Sequence, residues 1–342
     1  MNQWHDFLTT QGAIFQEDLL QSFGYAKKEL AAVGNTNVLT TLSHFGILEV
    51  SGEDAIPFLQ GQLTNDVKQL DGSISQYAGY CNPKGRLLAL FLAFAHHDHL
   101  HLQMPKNILE AIIKRLKMYV LRSKVVITDK SNDILCFGVA GQNVEIVLIN
   151  LFKEIPTAAK QVVTVEDATI IKLIGDLPKF YVYTNMKHAE RIWETLSLSC
   201  TKVGKPVWDY LEIQAGIPEI IPGTQEAFVP QMINLDALDG INFKKGCYTG
   251  QEIVARTHYL GKIKRRTLLA HIATDAIPNA GDSIHLKNLE EQIGQIVRVA
   301  PAISGGVDVL VEIRLEHSEA SSEIPMWKNS QLQFKPLPYT LN

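Results

Sequence analysis

The strongest constraint on the fold is one order of elements that occurs twice. Phe45–Val50 is a short apolar strand, and Ser51 with Asp54 three residues on has capping-box-like spacing for a helix start. Ala55, Phe58, Leu59, Gln62, Leu63 and Val67 then keep a helical period. Strands over Gln76–Cys81 and Arg86–Ala95 flank the turn Asn82-Pro-Lys-Gly85, and a third follows over His99–Met104. Lys106–Leu121 places Ile108, Leu109, Ile112, Ile113, Leu116, Tyr119 and Val120 on one helix face, and Val125–Thr128 closes the series. This is a βαββαβ order with one extra strand. Residues 133–204 repeat the pattern without residue-level identity: a strand over Ile134–Val139, a helix over Asn143–Phe152, strands over Val162–Val165, Thr169–Leu173 and Phe180–Thr184, and a helix over Met186–Leu196.

Residues 205–243 lose periodicity and hold Pro206, Pro218, Pro222 and Pro230; a stretch this long without regular structure is functional or a linker. From Arg266 onward only strands and turns are expected, which predicts a small C-terminal β-barrel or sandwich. The expected fold is therefore α+β, with two ferredoxin-like βαββαβ units and a small β-barrel. Expected domains are 1–130 (a helical lead plus the first unit), 131–262 (the second unit plus the segment 205–262) and 263–342 (the barrel).

Composition enters by exclusion. Hydrophobic residues make up 46% and charged residues 20%, which is globular and not disordered. The longest apolar run, Leu87–Ala95, is about half the length of a membrane span, so no membrane partner is expected. The first twenty residues carry acids and no basic n-region, so they do not resemble a secretory signal. Cysteines stand at 81, 136, 200 and 247, too few and too far apart for a C-x-x-C metal or redox motif or a disulfide framework. A cytoplasmic protein with reduced thiols is expected.

The net charge of −4 gives no global pull toward nucleic acid, but the cations are clustered. Lys244, Lys245, Arg256, Lys262, Lys264, Arg265 and Arg266 face one acid, Glu252, while Lys114, Arg115, Lys117, Arg122 and Lys124 face none. Each run is either a local anion site or an ordinary solvated face. His96, His97, His99 and His101 surround Asp98; a polar hairpin tip accounts for them better than a metal site, and no metal is expected. There is no G-x-S-x-G, no P-loop and no dinucleotide fingerprint.

The densest constellation is Phe243-Lys-Lys-Gly-Cys-Tyr-Thr-Gly-Gln-Glu252. Thr249 and Glu252 have capping-box spacing, which predicts a helix from about Gly250 to His258. Cys247 would lie just before its N-terminus beside two lysines, a setting that favours thiolate over thiol. The competing reading is an inert cysteine buried beneath the turn.

Lys245-Gly-Cys-Tyr-Thr-Gly-Gln-Glu252 resembles the K-G-C-Y-x-G-Q-E motif of the YgfZ family of folate-binding proteins, relatives of the glycine-cleavage T-protein. Phe58-Leu-Gln-Gly-Gln-Leu-Thr-Asn-Asp66, Cys81-Asn-Pro-Lys-Gly-Arg86, Leu121-Arg-Ser-Lys124, Ala215-Gly-Ile-Pro218, Val229-Pro-Gln231 and Asn234-Leu-Asp236 extend the resemblance over most of the chain. It implies a T-protein-like fold, a tetrahydrofolate cofactor between domains, and a role in assembly, maintenance or repair of iron–sulfur enzymes that supports tRNA modification. Cys247 and Lys245 would carry the chemistry; iron–sulfur proteins or assembly factors, and tRNA, are the implied partners.

Two departures from the T-protein pattern matter. Ala89 and Leu90 occupy the positions of its acidic pair, and hydrocarbon cannot move a proton, which argues against aminomethyl transfer. Gln214 stands where T-proteins read the pterin with a glutamate, and an amide cannot offer a bidentate carboxylate. Phe45 and Tyr210 fall where family members place aromatic folate contacts; each either stacks on the ring or is ordinary core. Lys244, Lys245, Arg256 and Lys262 suit the anionic folate tail, tRNA or an acidic partner alike. A folate-dependent aminomethyltransferase and a non-enzymatic folate-sensing scaffold are the alternative functions.

Overall fold

A computed structural model describes residues 3–96, 99–287, 291–318 and 324–341. The chain opens with α1 (Gln3–Thr10), a hairpin of β1 (Ile14–Gln16) and β2 (Leu19–Ser22), α2 (Ala26–Ala32) and β3 (Val38–Thr41). The first unit comprises β4 (Phe45–Ser51), α3 (Ala55–Gln60), β5 (Ser75–Cys81), β6 (Leu87–His96), β7 (His99–Pro105), α4 (Lys106–Val120) and β8 (Val126–Asp129). The second comprises β9 (Ile134–Ala140), α5 (Val144–Phe152), β10 (Val162–Val165), β11 (Ala168–Lys172), β12 (Lys179–Asn185), α6 (Met186–Ser197) and β13 (Thr201–Lys202). Helices α7 (Lys205–Gln214) and α8 (Gln251–Tyr259) bracket an irregular segment. Six strands then complete the chain: β14 (Arg265–Ile272), β15 (Ser283–Leu286), β16 (Gln292–Pro301), β17 (Val307–Arg314), β18 (Pro325–Trp327) and β19 (Ser330–Lys335).

The first sheet has the order β5-β6-β7-β4-β8, a ferredoxin-like arrangement with β5 as the extra edge strand. β6 is buried on both faces, which its unbroken apolar run requires. Phe91, Ala93 and Ala95 meet the α4 residues Ile108, Leu109, Ile112 and Leu116, while Leu90, Leu92 and Phe94 face the second unit. The second sheet has the order β10-β11-β12-β9-β3-β13. Its place beside β9 is filled by β3 from the N-terminal lead, and two-residue β13 lies outside it, parallel to β3. β3 is buried at all four residues, so it carries no alternation that would mark it as a strand. The last six strands close into a barrel in the order β14-β17-β16-β15-β18-β19. The fold is thus α+β with a C-terminal barrel, as expected.

Two helix starts differ from expectation. Asp54 caps no amide of α3; its carboxylate instead accepts the Lys124 N–H at 2.8 Å. α8 begins with no side-chain cap because its N-cap residue is Gly250, in the left-handed region, and not Thr249, whose amide donates to Gly61 O at 3.3 Å. One helix, α7, falls where no periodicity was expected. Pro206 reads as a breaker but sits in the first turn, where its missing N–H costs nothing. β18 was missed for a like reason, since it begins on Pro325.

α7 joins the three units. Trp208 lies flat on β9 over Gly138, where a Cβ would come within 2.6 Å of the indole. Asp209 and Glu212 meet Arg298 of β16 and Lys179 of β12: Arg298–Asp209 is 2.9 Å and Lys179–Glu212 is 2.8 Å. Burial pushes the Asp209 carboxyl up, but Lys205 and Arg298 overcome it and hold the group at about 2. A depressed carboxyl contributes stability that is present above its unfolded value near 3.8 and lost as pH falls toward 2. Unfolding followed by urea titration between pH 5 and 2 is expected to show about 2 kcal/mol of acid-dependent loss that Asp209→Asn lacks.

Candidate functional site

The segments that carry the family resemblance converge on one loop. Gly240–Gly250 lies in a cradle made by residues 58–66 and the 82–85 turn. Thr64 Oγ1 donates to Gly240 O at 2.6 Å and accepts the Gly79 N–H at 2.7 Å. Asn65 Nδ2 donates to Asp239 O and Tyr77 O. The Asn242 amide bonds Thr64 O at 3.0 Å. Gly250 has φ +84°, and a Cβ there would stand 2.5 Å from Asn82 O, so only glycine lets α8 begin against that turn. Gln231 Nε2 donates to Val254 O from inside the core, fixing α8 from below. Asp236 pairs with the buried Arg266 at 2.6 and 3.0 Å, tying the segment to the barrel.

Lys245 and Cys247 stand in different surroundings in this loop. The Lys245 ammonium donates to three backbone carbonyls, Gln60 O at 2.8 Å, Leu63 O at 2.6 Å and Asn65 O at 2.9 Å, just past the C-terminus of α3. It also lies over the Tyr248 ring at 5.2 Å. Burial pulls this lysine down to about 8 against the attraction of Asp66. All three protons are spent on the main chain, so Lys245 positions the loop. Cys247 is the exposed cysteine, whereas Cys81, Cys136 and Cys200 are buried. Burial pushes the thiols of Cys81 and Cys200 up to about 12, which leaves them inert. Lys244, Arg256, Lys262 and Lys264 are exposed like Cys247, and none has an ion-pair partner among the described residues.

A separate cavity lies where the two sheets, α7 and the barrel meet. Phe45, Tyr77, Leu90, Tyr181, Glu212, Glu219 and Arg298 are among its lining residues, and its volume is about 40 Å³. Two atoms of this buried wall lack partners, Glu219 Oε1 and Arg298 Nε. Phe45 reaches it, edge-on to Tyr181 at 6.2 Å. Gln214 and Tyr210 do not line it. Gln214 Nε2 donates to Asp308 Oδ2 at 2.8 Å, where Lys335 and His271 also converge. A glutamate at 214 would set two carboxylates against each other, so the barrel's own Asp308 accounts for the amide. Tyr210 is half-buried against the core, and burial and Asp308 raise its hydroxyl. The carboxylates that do face the cavity, Glu212 and Glu219, were missed from sequence; the second directly follows Ala215-Gly-Ile-Pro218, which was the available signal.

The two histidines of β7 gather on a carboxylate, while His96 of β6 bonds Thr169 Oγ1 at 2.6 Å. His99 Nδ1 and His101 Nε2 stand 3.0 and 3.4 Å from Glu49. His97 and Asp98 lie outside the described residues. No group of three or more metal-ligating side chains forms among the described residues, and no helix there is long and apolar enough to cross a membrane.

The GCVT N-terminal domain family matches residues 6–205. A protein named tRNA-modifying protein YgfZ from Sodalis glossinidius is 31% identical over 308 residues, covering 89% of this chain and 93% of its own. Its namesake from Escherichia coli O45:K1 is 32% identical over 305 residues with the same coverage. The chain belongs to the YgfZ family. A solved structure, the glycine cleavage system aminomethyltransferase T from Bartonella henselae, superposes with a TM-score of 0.75 at 16% identity over 98% of this chain and 96% of that one. That likeness establishes the fold alone.

In this YgfZ-family protein the three carbonyls on Lys245 give a direct test of its role. Lys245→Met keeps the stem and removes the donors, leaving acceptors unpaired in a half-buried turn. It is expected to cost about 2–3 kcal/mol in urea unfolding, and Lys245→Arg, whose fork does not match three convergent carbonyls, is expected not to restore it.

Proposed function

We propose that the protein binds a reduced folate in the central cavity and uses Cys247 to maintain or repair iron–sulfur enzymes on which tRNA modification depends, in the cytoplasm. The observation that carries the reading is that the segments marking the family hold a single exposed thiol in a stretch, 244–264, that also carries four exposed cations. The curated relatives' name, tRNA-modifying protein, supports the tRNA end of the proposal.

The cavity's donor set suits a pterin. The ring presents an amino group and a ring N–H, and Glu219 carries an unpartnered carboxylate oxygen to receive them. Phe45, Tyr77 and Tyr181 supply π-faces. A volume of about 40 Å³ holds one water molecule and not a pterin, so the reading requires the cavity wall to open on binding. When bound, the folate supplies one-carbon or redox chemistry; the protein's residues orient it and exclude water. Lys244, Arg256 and Lys262 offer cations to the glutamate tail, to tRNA or to an acidic partner. Cys247 alone cannot fill the four ligand positions of a cluster, so a cluster is cargo here and not a resident group.

Aminomethyl transfer is the rival reading. Leu90 lines the cavity and Ala89 is buried on the other face of β6, in the core of the first unit, both without a titratable group. The scaffold reading differs by making the thiol dispensable. Cys247→Ser in a deletion strain is expected to leave cluster-dependent tRNA modification unrestored, measured by mass spectrometry of modified nucleosides; full restoration would favour the scaffold. Trp208 lies 5.7 Å from Tyr181, so its fluorescence reports on the cavity. Titration with tetrahydrofolate is expected to quench it, and Glu219→Gln to weaken binding by about tenfold, one charge-assisted hydrogen bond.

A further inference from the structure

A second, larger cleft opens between the same two sheets, away from the Cys247 loop. Its volume is about 420 Å³, within the range of small-molecule sites. Phe94 and Tyr183 form part of its wall with ring centroids 4.7 Å apart. His101, which is 1% exposed, lines it and stacks on Phe94 at 5.3 Å. Glu166 and Asp167 stand on the β10–β11 turn at its edge.

The polar lining includes two histidines, three threonines, Asn185 and two acids, and His96 Nδ1 is already bonded to Thr169 Oγ1 at 2.6 Å. His101 Nε2 faces Glu49 at 3.4 Å, so its N–H points to the carboxylate and Nδ1 keeps a lone pair. Burial holds the ring neutral, at about 4 against the pull of Glu49. That Nδ1 is buried and has no hydrogen-bond partner, a deficit that native interiors rarely leave unfilled. Tyr183 Oη is already spent on Gln103 at 2.6 Å. Glu166 is exposed with no ion pair among the described residues, and Asp167 is shared by Arg191 and His188. No lysine or arginine lines the cleft.

An acceptor at the floor, carboxylates at the edge, aromatic walls and no lining lysine or arginine weigh against phosphates and carboxylates and favour the opposite charge. We propose that this cleft is a binding site for a small organic amine, an ammonium on a flat or apolar body, whose N–H donates to His101 Nδ1 while its body lies against Phe94 and Tyr183. It takes a cation, whereas the proposed folate site and its rim take an anionic ligand.

The test uses the full chain, with tyramine as probe and 4-hydroxyphenylacetate, the same phenol bearing a carboxylate, as control. Calorimetry and the imidazole nitrogen resonances of His101 are read together. Tyramine is expected to bind saturably and shift the Nδ1 resonance, with the control at least about tenfold weaker. His101→Phe, which keeps the stack and removes the acceptor, is expected to weaken tyramine by about tenfold. Glu166→Gln, an exposed change without effect on folding, is expected to weaken it about threefold and to leave folate quenching unaltered. Equal binding of both probes, no shift of the His101 resonance, or wild-type tyramine affinity in both variants would overturn the proposal and leave a buried water as the partner of Nδ1.

Discussion

Arg298 is the interaction on which the assembly of the three units depends. It leaves the barrel on β16 and ends inside the protein between two carboxylates of α7, with Ile217 O as a third acceptor at 3.3 Å. A guanidinium withdrawn from water costs several kcal/mol unless it is paired, and a lone carboxylate in the same place costs as much. Asp209 and Glu212 therefore require Arg298, and Glu212 requires Lys179 from the second sheet. The ion cluster gives little net stability over a hydrocarbon core of equal volume, but it admits one docking of barrel, helix and sheet. It also explains why the central cavity is polar: Glu212 and Arg298 belong to the joint and to the wall at once.

The Cys247 loop follows a different rule. It is short and glycine-bearing, with no regular structure, so its shape comes from what surrounds it. Lys245 satisfies three carbonyls that α3 leaves behind, Thr64 links the loop to β5, and Gly250 closes on the Asn82 turn. The cost of this fixation falls on buried backbone polar groups, while the thiol between these anchors stays in solvent. The three other cysteines show the converse, with burial raising their thiols beyond reaction.

Most of the fold was legible because its elements are amphipathic in regular ways. α4 and α6 each expose one face, and β6 announces a doubly covered strand by its apolar run. What was not legible has identifiable causes. β3 has no alternation and pairs across about a hundred residues with β9. α7 hides its apolar face because Asp209 and Glu212 occupy positions that local patterning assigns to solvent, and only a distant arginine makes them buried. At the loop, the helix after Gly250 was legible from spacing, whereas the exposure of Cys247 was not, since residue type alone left a buried cysteine open. The duty of Lys245 was not, since carbonyl acceptors leave no trace in a sequence. Gln214 was legible as a departure but not as a cause, because Asp308 lies 94 positions away on β17.

The two cavities between the sheets differ because one hydrogen bond divides them. Tyr183 lines the outer cleft, Gln103 lines the inner cavity, and the phenol donates to the amide at 2.6 Å across the boundary. Inside this partition the wall belongs to the joint of three units and must contain paired ions. Outside it, the wall is made by two sheets alone, and its polar groups are those that strand register happens to place there, Glu49 opposite His101 and Phe94 beside it. A register slip of one residue in β7 would turn His101 toward α4 and empty both the floor of the cleft and the Gln103 half of the partition. Pairing of β7 with β4 and β6 thus fixes the chemistry of both compartments at once.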